Sequence, residues 1–263
     1  MTFEFIAYHS EAGIARLTLN RPERLNSFTD AMHEEIRLAL DALDADTSAR
    51  VLVLSGAGRG FCAGQDLNDR SVSSSDAAPD LGASVERNYK PLVLRLQNLR
   101  MPTICAVNGI AAGAGASLAL ACDIVIAARS ASFLQAFSKI GLIPDTGGTW
   151  FLPQRVGMAR AMGLALLAEK LPAEKAAAWG LIWDCVDDSD LAPTVERIAS
   201  QFASAPTQAL VRTRQAMRAA MNNELATQLD LERDMMRELG QAHDYREGVA
   251  AFMAKRAPRF KGT

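Results

Sequence analysis

Twice in this chain a short, fully apolar run opens into a turn made of residues with little or no side chain. Residues 50–55 (Arg-Val-Leu-Val-Leu-Ser) lead into the glycine-rich stretch 56–64. Residues 102–106 lead into Asn108-Gly109-Ile110-Ala111-Ala112-Gly113-Ala114-Gly115-Ala116. Runs that are apolar on both faces read as buried parallel strands, and parallel strands need crossover connections, usually helical. Strand, turn, helix and strand therefore recur. That restricts the chain to an α/β architecture with right-handed crossovers.

The rest of the chain fits around this frame. Residues 3–8 and 14–20 predict a β-hairpin, closed by Pro22. Thr29 is placed to cap a helix over 30–44, with Met32, Ile36, Leu40 and Leu43 on one face. Residues 71–84 have no apolar period and predict a loop, either a lid over a site or a plain surface insertion. A helix then runs to about Asn98, a short helix spans 117–121 and a strand 123–127. From about Pro206 the pattern is helix only, ending in an amphipathic helix over 245–255. Leu225, Leu229, Met235, Met236 and Leu239 give this part an apolar face that packs either on the chain's own core or on a sister subunit. The expected division is a core over 1–200 and a helical region over 201–263.

Composition narrows the function. A formal net charge of −2 argues against a general nucleic-acid binder. Cys62, Cys105, Cys122 and Cys185 form no paired motif, as in a reducing compartment, and His9, His33 and His243 have no metal-ligand spacing. Residues 1–8 do not have the form of a secretory signal, and glycines, Asn108 and Asp123 interrupt the apolar stretch 104–128. The expectation is a cytoplasmic protein with no metal and no membrane span.

The chemistry points to the two small-residue turns. Such turns let a ligand oxygen approach backbone N–H groups closely, and two aimed at one point make a two-donor oxyanion hole. Taken singly, each is equally a packing device. Neither is a Walker phosphate loop, and no dinucleotide fingerprint follows the first strand. Asp145, in Ile-Pro-Asp-Thr-Gly-Gly-Thr-Trp, is either a general base or a cap for a helix starting near Thr149. Phe133, Phe137, Ile140, Leu142 and Trp150 flank it, and an apolar pocket made of them would raise its pKa.

Asn20-Arg21-Pro22, Leu25-Asn26-Ser27, Ala63-Gly64-Gln65-Asp66-Leu67, Asn108-Gly109, Cys122-Asp123-Ile124, the run 141–149 and the closing Arg246-Glu247-Gly248-Val249 segment resemble, in order, the enoyl-CoA hydratase/isomerase (crotonase) family. The resemblance implies a spiral of repeated ββα units with a C-terminal helical trimerisation region. It also implies an acyl-CoA substrate, with coenzyme A as part of that substrate and no separate cofactor, and a homotrimer or dimer of trimers. By the same resemblance the N–H groups of Gln65 and Ala114 form the oxyanion hole. Arg24, Leu25, Ala63, Asp66 and Leu67 line the coenzyme A site, Phe137, Leu142 and Trp150 the acyl pocket, and Phe260 and Lys261 approach a neighbouring subunit's nucleotide.

Family hydratases carry two glutamates where this chain has Ser117 and Phe137. That argues against water addition and for a single-carboxylate isomerase using Asp145. No histidine occurs between His33 and His243, which disfavours the family's dehalogenation chemistry. Residues 59–70, Ala136-Phe137-Ser138-Lys139 and the Asp145 loop resemble the ring-1,2-epoxyphenylacetyl-CoA isomerases of phenylacetate catabolism, which form an oxepin-CoA. The alternatives are a Δ3-Δ2 enoyl-CoA isomerase of fatty-acid oxidation and, more remotely, a noncatalytic or RNA-binding protein of this fold.

Overall fold

The computed structural model describes residues 2–68 and 80–263. It opens with the hairpin: β1 (Ile6–Glu11) and β2 (Ile14–Leu19) pair antiparallel around a turn in which Ala12 and Gly13 both have positive φ. Helix α1 (Asp30–Ala45) starts where Thr29 Oγ1 accepts the Met32 N–H at 3.2 Å, a cap worth about 1 kcal/mol. It buries Met32, Ile36, Ala39, Leu40 and Leu43, the stripe its 3.6-residue period dictates.

Three strand pairs follow. β3 (Val51–Gly56) is succeeded by β4 (Gly60–Cys62); then come α2 (Leu81–Ser84), one π turn over Val85–Tyr89 and α3 (Lys90–Asn98). β5 (Thr103–Val107) is succeeded by β6 (Ile110–Ala112) and α4 (Ala114–Leu120), and β7 (Ile124–Ala128) by β8 (Ser132–Leu134). The first strand of each pair enters a six-stranded sheet of order β1-β2-β3-β5-β7-β10, where β10 is Asp184–Val186. The second enters a four-stranded sheet of order β4-β6-β8-β9, where β9 is Leu171–Pro172. This is the spiral of ββα units that the resemblance implies. The stretches 56–64 and 108–116, read from sequence as turns alone, each contain a three-residue strand of the second sheet. Glycines and alanines there have low strand propensity, and neighbouring strands override it.

Leu17, Leu19, Ile36, Leu40, Leu52 and Leu54 meet Leu92, Leu96 and Leu118 in one core between hairpin, sheet and helices. Burying each leucine contributes roughly 1.5–3 kcal/mol. The remaining helices are α5 (Gly148–Leu167), kinked at Gly157, α6 (Ala173–Ala178), α7 (Leu191–Ala203), α8 (Thr207–Ala219), α9 (Leu225–Leu239) and α10 (His243–Met253). The loop expected over 71–84 lies outside the described residues as far as 79. Its last part is α2, whose first turn Asp80 caps through the Ala83 N–H. Among the described residues no helix is long and apolar enough to cross a membrane.

A buried ion network ties α8 to the core. Asp123 takes Arg214 at 3.0 Å and Arg218 at 2.9 Å and accepts the N–H and hydroxyl of Thr103. The aspartate of the Cys-Asp-Ile motif is thus a structural anchor.

Candidate active site

The pairing of the second sheet brings the two small-residue turns together. β4 and β6 are parallel neighbours, with Cys62 opposite Ala111. The residues that follow each strand therefore leave the sheet side by side. Gly64, at φ +90, lies so close that a Cβ there would sit 2.9 Å from Ala112 O and 3.3 Å from Ala114 N. A Cβ on Gly115 would sit 2.4 Å from Cys62 O, so backbone packs on backbone and only glycine fits. The packing role of these turns is thus directly visible in their backbone contacts.

The orientation of Gln65 follows from its bridge to Phe28. Phe28 donates its N–H to Gly64 O and accepts the Asp66 N–H, at 2.8 and 2.9 Å. In a parallel bridge the residue between those two contacts turns its own N–H the other way. The N–H groups of Gln65 and Ala114 find no acceptor among the described residues. Tyr89, fully buried against Phe28 and His33, donates its hydroxyl to Gln65 Oε1 and steadies this side.

Asn26, whose role spacing along the chain does not indicate, clamps the first turn. It is fully buried, and its Nδ2 donates to the carbonyls of Ala57, Gly60 and Phe61 at 2.9–3.1 Å while Oδ1 accepts the Arg21 N–H at 2.8 Å. Leu25 and Asn26 both have left-handed φ, of 49° and 56°, a conformation asparagine tolerates well. A left-handed asparagine just after a proline turn was the available signal.

Asp145 enters from a third direction. Thr146 and Gly147 follow it with φ 54° and 80°, and the Gly148 N–H returns to the Asp145 carbonyl at 2.8 Å. The carboxylate accepts the Thr146 hydroxyl at 2.8 Å. Gly147, two residues after Asp145, is the N-cap of α5. Gly148 seats this loop on α4, because a Cβ there would lie 2.7 Å from Ser117 Oγ. The loop thus stands against the helix that begins with Ala114.

Ser117 is fully buried on α4, and Phe137 is buried in the 3-10 turn Ala136–Ile140. The Phe137 ring lies 3.7 Å from where a Gly113 Cβ would be.

Comparison with known proteins agrees with this architecture. Residues 9–263 match the model of the enoyl-CoA hydratase/isomerase family. The chain belongs to that family. It is 61% identical over 98% of its length, and 99% of the relative's, to the 1,2-epoxyphenylacetyl-CoA isomerase of Escherichia coli strain K12. It is 39% identical, over 94% of each chain, to the 2,3-dehydroadipyl-CoA hydratase of the same organism. The crystal structure of an enoyl-CoA hydratase from Bacillus anthracis superposes with a TM-score of 0.89 at 31% identity, covering 99% of this chain and 100% of that one. Enoyl-CoA hydratase/isomerase relatives thus include both hydratases and isomerases, and the side chains present must separate the two.

The other residues expected at the site fall into two groups. Leu25 and Ala63 are half-buried and joined by the Ala63 N–H to Leu25 carbonyl bond at 2.9 Å, while Arg24 and Leu67 are exposed on the same rim. Asp66 differs from them, because its carboxylate turns inward. Burial pushes its pKa up, but the Asn68 N–H, the Arg21 guanidinium at 3.2 Å and the Ser27 hydroxyl outweigh that and hold it below the usual carboxylate range. Of the apolar shell around Asp145, Phe133 and Phe137 are buried, whereas Ile140, Leu142 and Trp150 are 39–52% exposed. Within one chain the shell expected from sequence is half built, since Ile140, Leu142 and Trp150 sit on a surface turn and the outer face of α5. Phe260 packs beside Gly248, and Asp244 accepts the N–H groups of Lys261 and Gly262, both at 2.7 Å, so the tail folds back on α10.

Proposed function

We propose that this chain is an acyl-CoA isomerase that converts ring-1,2-epoxyphenylacetyl-CoA to the oxepin-CoA. The observation that supports the reading is that Gly64 packs against the Ala114 turn while Gly148, beside the Asp145 turn, packs against Ser117 of the same helix, with a serine and a phenylalanine where family hydratases hold glutamates. The 61% identical relative supports the ring substrate.

The thioester oxygen sits between the N–H groups of Gln65 and Ala114. Asp145 takes a proton from C2, and the C–H electron pair moves into the thioester as an enolate. Each oxyanion donor contributes about 3–4 kcal/mol to that step, and most of the help must come from them, because an unactivated α-proton is far less acidic than a carboxyl. Enolate collapse breaks the adjacent epoxide C–O bond, whose electron pair goes to oxygen. The alkoxide rebonds to that ring carbon and returns the pair to the enolate. The bond between the two former epoxide carbons breaks as the ring diene electrons shift to give the seven-membered ring, and Asp145 returns the proton to a ring carbon. Atoms are conserved, with no water and no redox partner. Coenzyme A lies along the rim of Arg24, Leu25, Ala63, Asp66 and Leu67, and Phe137, Leu142 and Trp150 face the acyl group.

Residues 201–263 act as the oligomerisation region of a homotrimer or dimer of trimers, with the site-bearing core in 1–200. Leu225, Met236, Phe252 and Met253 are each at least 69% exposed in the single chain, and sedimentation of the native protein measures the assembly. Free, mostly buried cysteines suit the cytoplasm.

The test is turnover of a 3-enoyl-CoA in D2O and of the ring epoxide, by the native chain and by Asp145→Asn. We expect isomerisation without gain of a water mass, lost in the variant, while acyl-CoA affinity and fold persist. Hydrated product, or unchanged turnover by Asp145→Asn, refutes the mechanism.

A further inference from the structure

Two polar side chains beside the site have no part in the steps above. Ser117 and Gln135 are 0% and 4% exposed, and Ser117 Oγ and Gln135 Oε1 are buried with no hydrogen-bond partner among the described residues. They come from different segments and converge. From the point a Cβ on Gly148 would occupy, Ser117 Oγ lies at 2.7 Å and Gln135 Oε1 at 3.6 Å. Glycine at 148 is what lets the Asp145 turn approach both groups this closely.

The placement is specific. Ser117 is three residues beyond Ala114 on α4, and so on the same helical face. Gln135 directly follows β8, whose Leu134 carbonyl accepts the Gly113 N–H at 2.8 Å. Gly148 closes the Asp145 turn. The pair is therefore bounded by the segment carrying one oxyanion donor and the segment carrying the base. Polar atoms buried without partners are a standing cost that a ligand atom of matching chemistry removes.

We propose that Ser117 and Gln135 form the cradle for the ring oxygen of the substrate, and so set the preference for an oxygen-bearing ring over a plain enoyl chain. This rests on the epoxide-isomerase reading. An epoxide oxygen has lone pairs only and must be met by donors. The Ser117 hydroxyl is one. A half-turn of the Gln135 amide, which scarcely alters its shape, presents its NH2 as the second and relieves the orphaned oxygen. As the epoxide C–O bond breaks, its electron pair goes to this oxygen and both hydrogen bonds strengthen. A 3-enoyl-CoA carries no oxygen at that place and gains nothing from the cradle.

The experiment compares kcat for freshly prepared ring-1,2-epoxyphenylacetyl-CoA with kcat for a 3-enoyl-CoA in the native chain and in Ser117→Ala. The expected result is a fall in the epoxide-to-enoyl ratio of about 10- to 100-fold, somewhat less than the loss of one full oxyanion donor. An unchanged ratio overturns the cradle and leaves the isomerase reading standing. Should Ser117→Ala fail to fold, the same ratio is read in Gln135→Met. A native chain that turns over the enoyl thioester but not the epoxide overturns the ring-epoxide reading and the cradle with it.

Discussion

Gly64→Ala tests the oxyanion hole without touching a side chain. The added methyl has two separable effects. At φ +90 an alanine is strained, which costs about 1–3 kcal/mol. The methyl also lies 2.9 Å from Ala112 O and 3.3 Å from Ala114 N, in front of one proposed donor. Unfolding entropy of about 2.1 cal/mol/K per residue over 263 residues gives roughly 0.55 kcal/mol/K. The strain should thus lower Tm by about 2–5 °C. The 2.9 Å approach to the Ala112 carbonyl adds an overpacking cost of about 1–3 kcal/mol, so turnover is compared at a temperature where the melt shows the variant folded. Obstructing one donor should lower kcat by about 100- to 1000-fold. The control is Gly180→Ala, at φ +79 and remote from the site, where the methyl meets only Arg155 O at 3.6 Å. It should lower Tm by the strain alone, about 2–5 °C, and leave kcat within about threefold. Thermal melts and enoyl-CoA isomerisation measure both quantities. If Gly64→Ala loses Tm and keeps its kcat, the two turns are packing alone and the oxyanion hole lies elsewhere.

Two predictions concern stability. Asp123→Ala strands the Arg214 and Arg218 guanidinium groups, the first of them buried, and should cost about 3–5 kcal/mol in urea unfolding; a loss below about 1 kcal/mol would show that α8 is held by apolar contacts. Acid should loosen the C-terminal tail. Glu247 hydrogen-bonds the Arg256 side chain and the Arg259 N–H, which lower its pKa to about 2. A depressed folded pKa gives stability that is present above the unfolded value of about 4.3 and lost as pH falls toward 2. Limited proteolysis after Lys255 should therefore accelerate between pH 4 and 2 in the native chain, and Glu247→Gln should cleave quickly already at pH 6. A pH-independent rate would contradict the clasp.

Much of this protein follows from its sequence. The apolar runs at 51–55 and 103–106, the Thr29 cap and the four-residue stripe from Met32 specify strands and helix locally, because burial period and hydrogen-bonding capacity reside in neighbouring residues. The absence of carboxylates at 117 and 137 likewise separates isomerase from hydratase chemistry before any fold is known. Long-range pairing decided the rest. Only the parallel match of β4 with β6 sets Gln65 beside Ala114, and only the bridge to Phe28 turns the Gln65 N–H away from the sheet. Asp66 and Asp145 are both acidic residues beside glycines, yet one meets Arg21 and becomes a brace while the other stands at the α4 turn. Asn26 reaches three carbonyls more than thirty residues away. Such roles depend on which backbone groups a side chain meets after the sheet has closed, and spacing along the chain does not encode that.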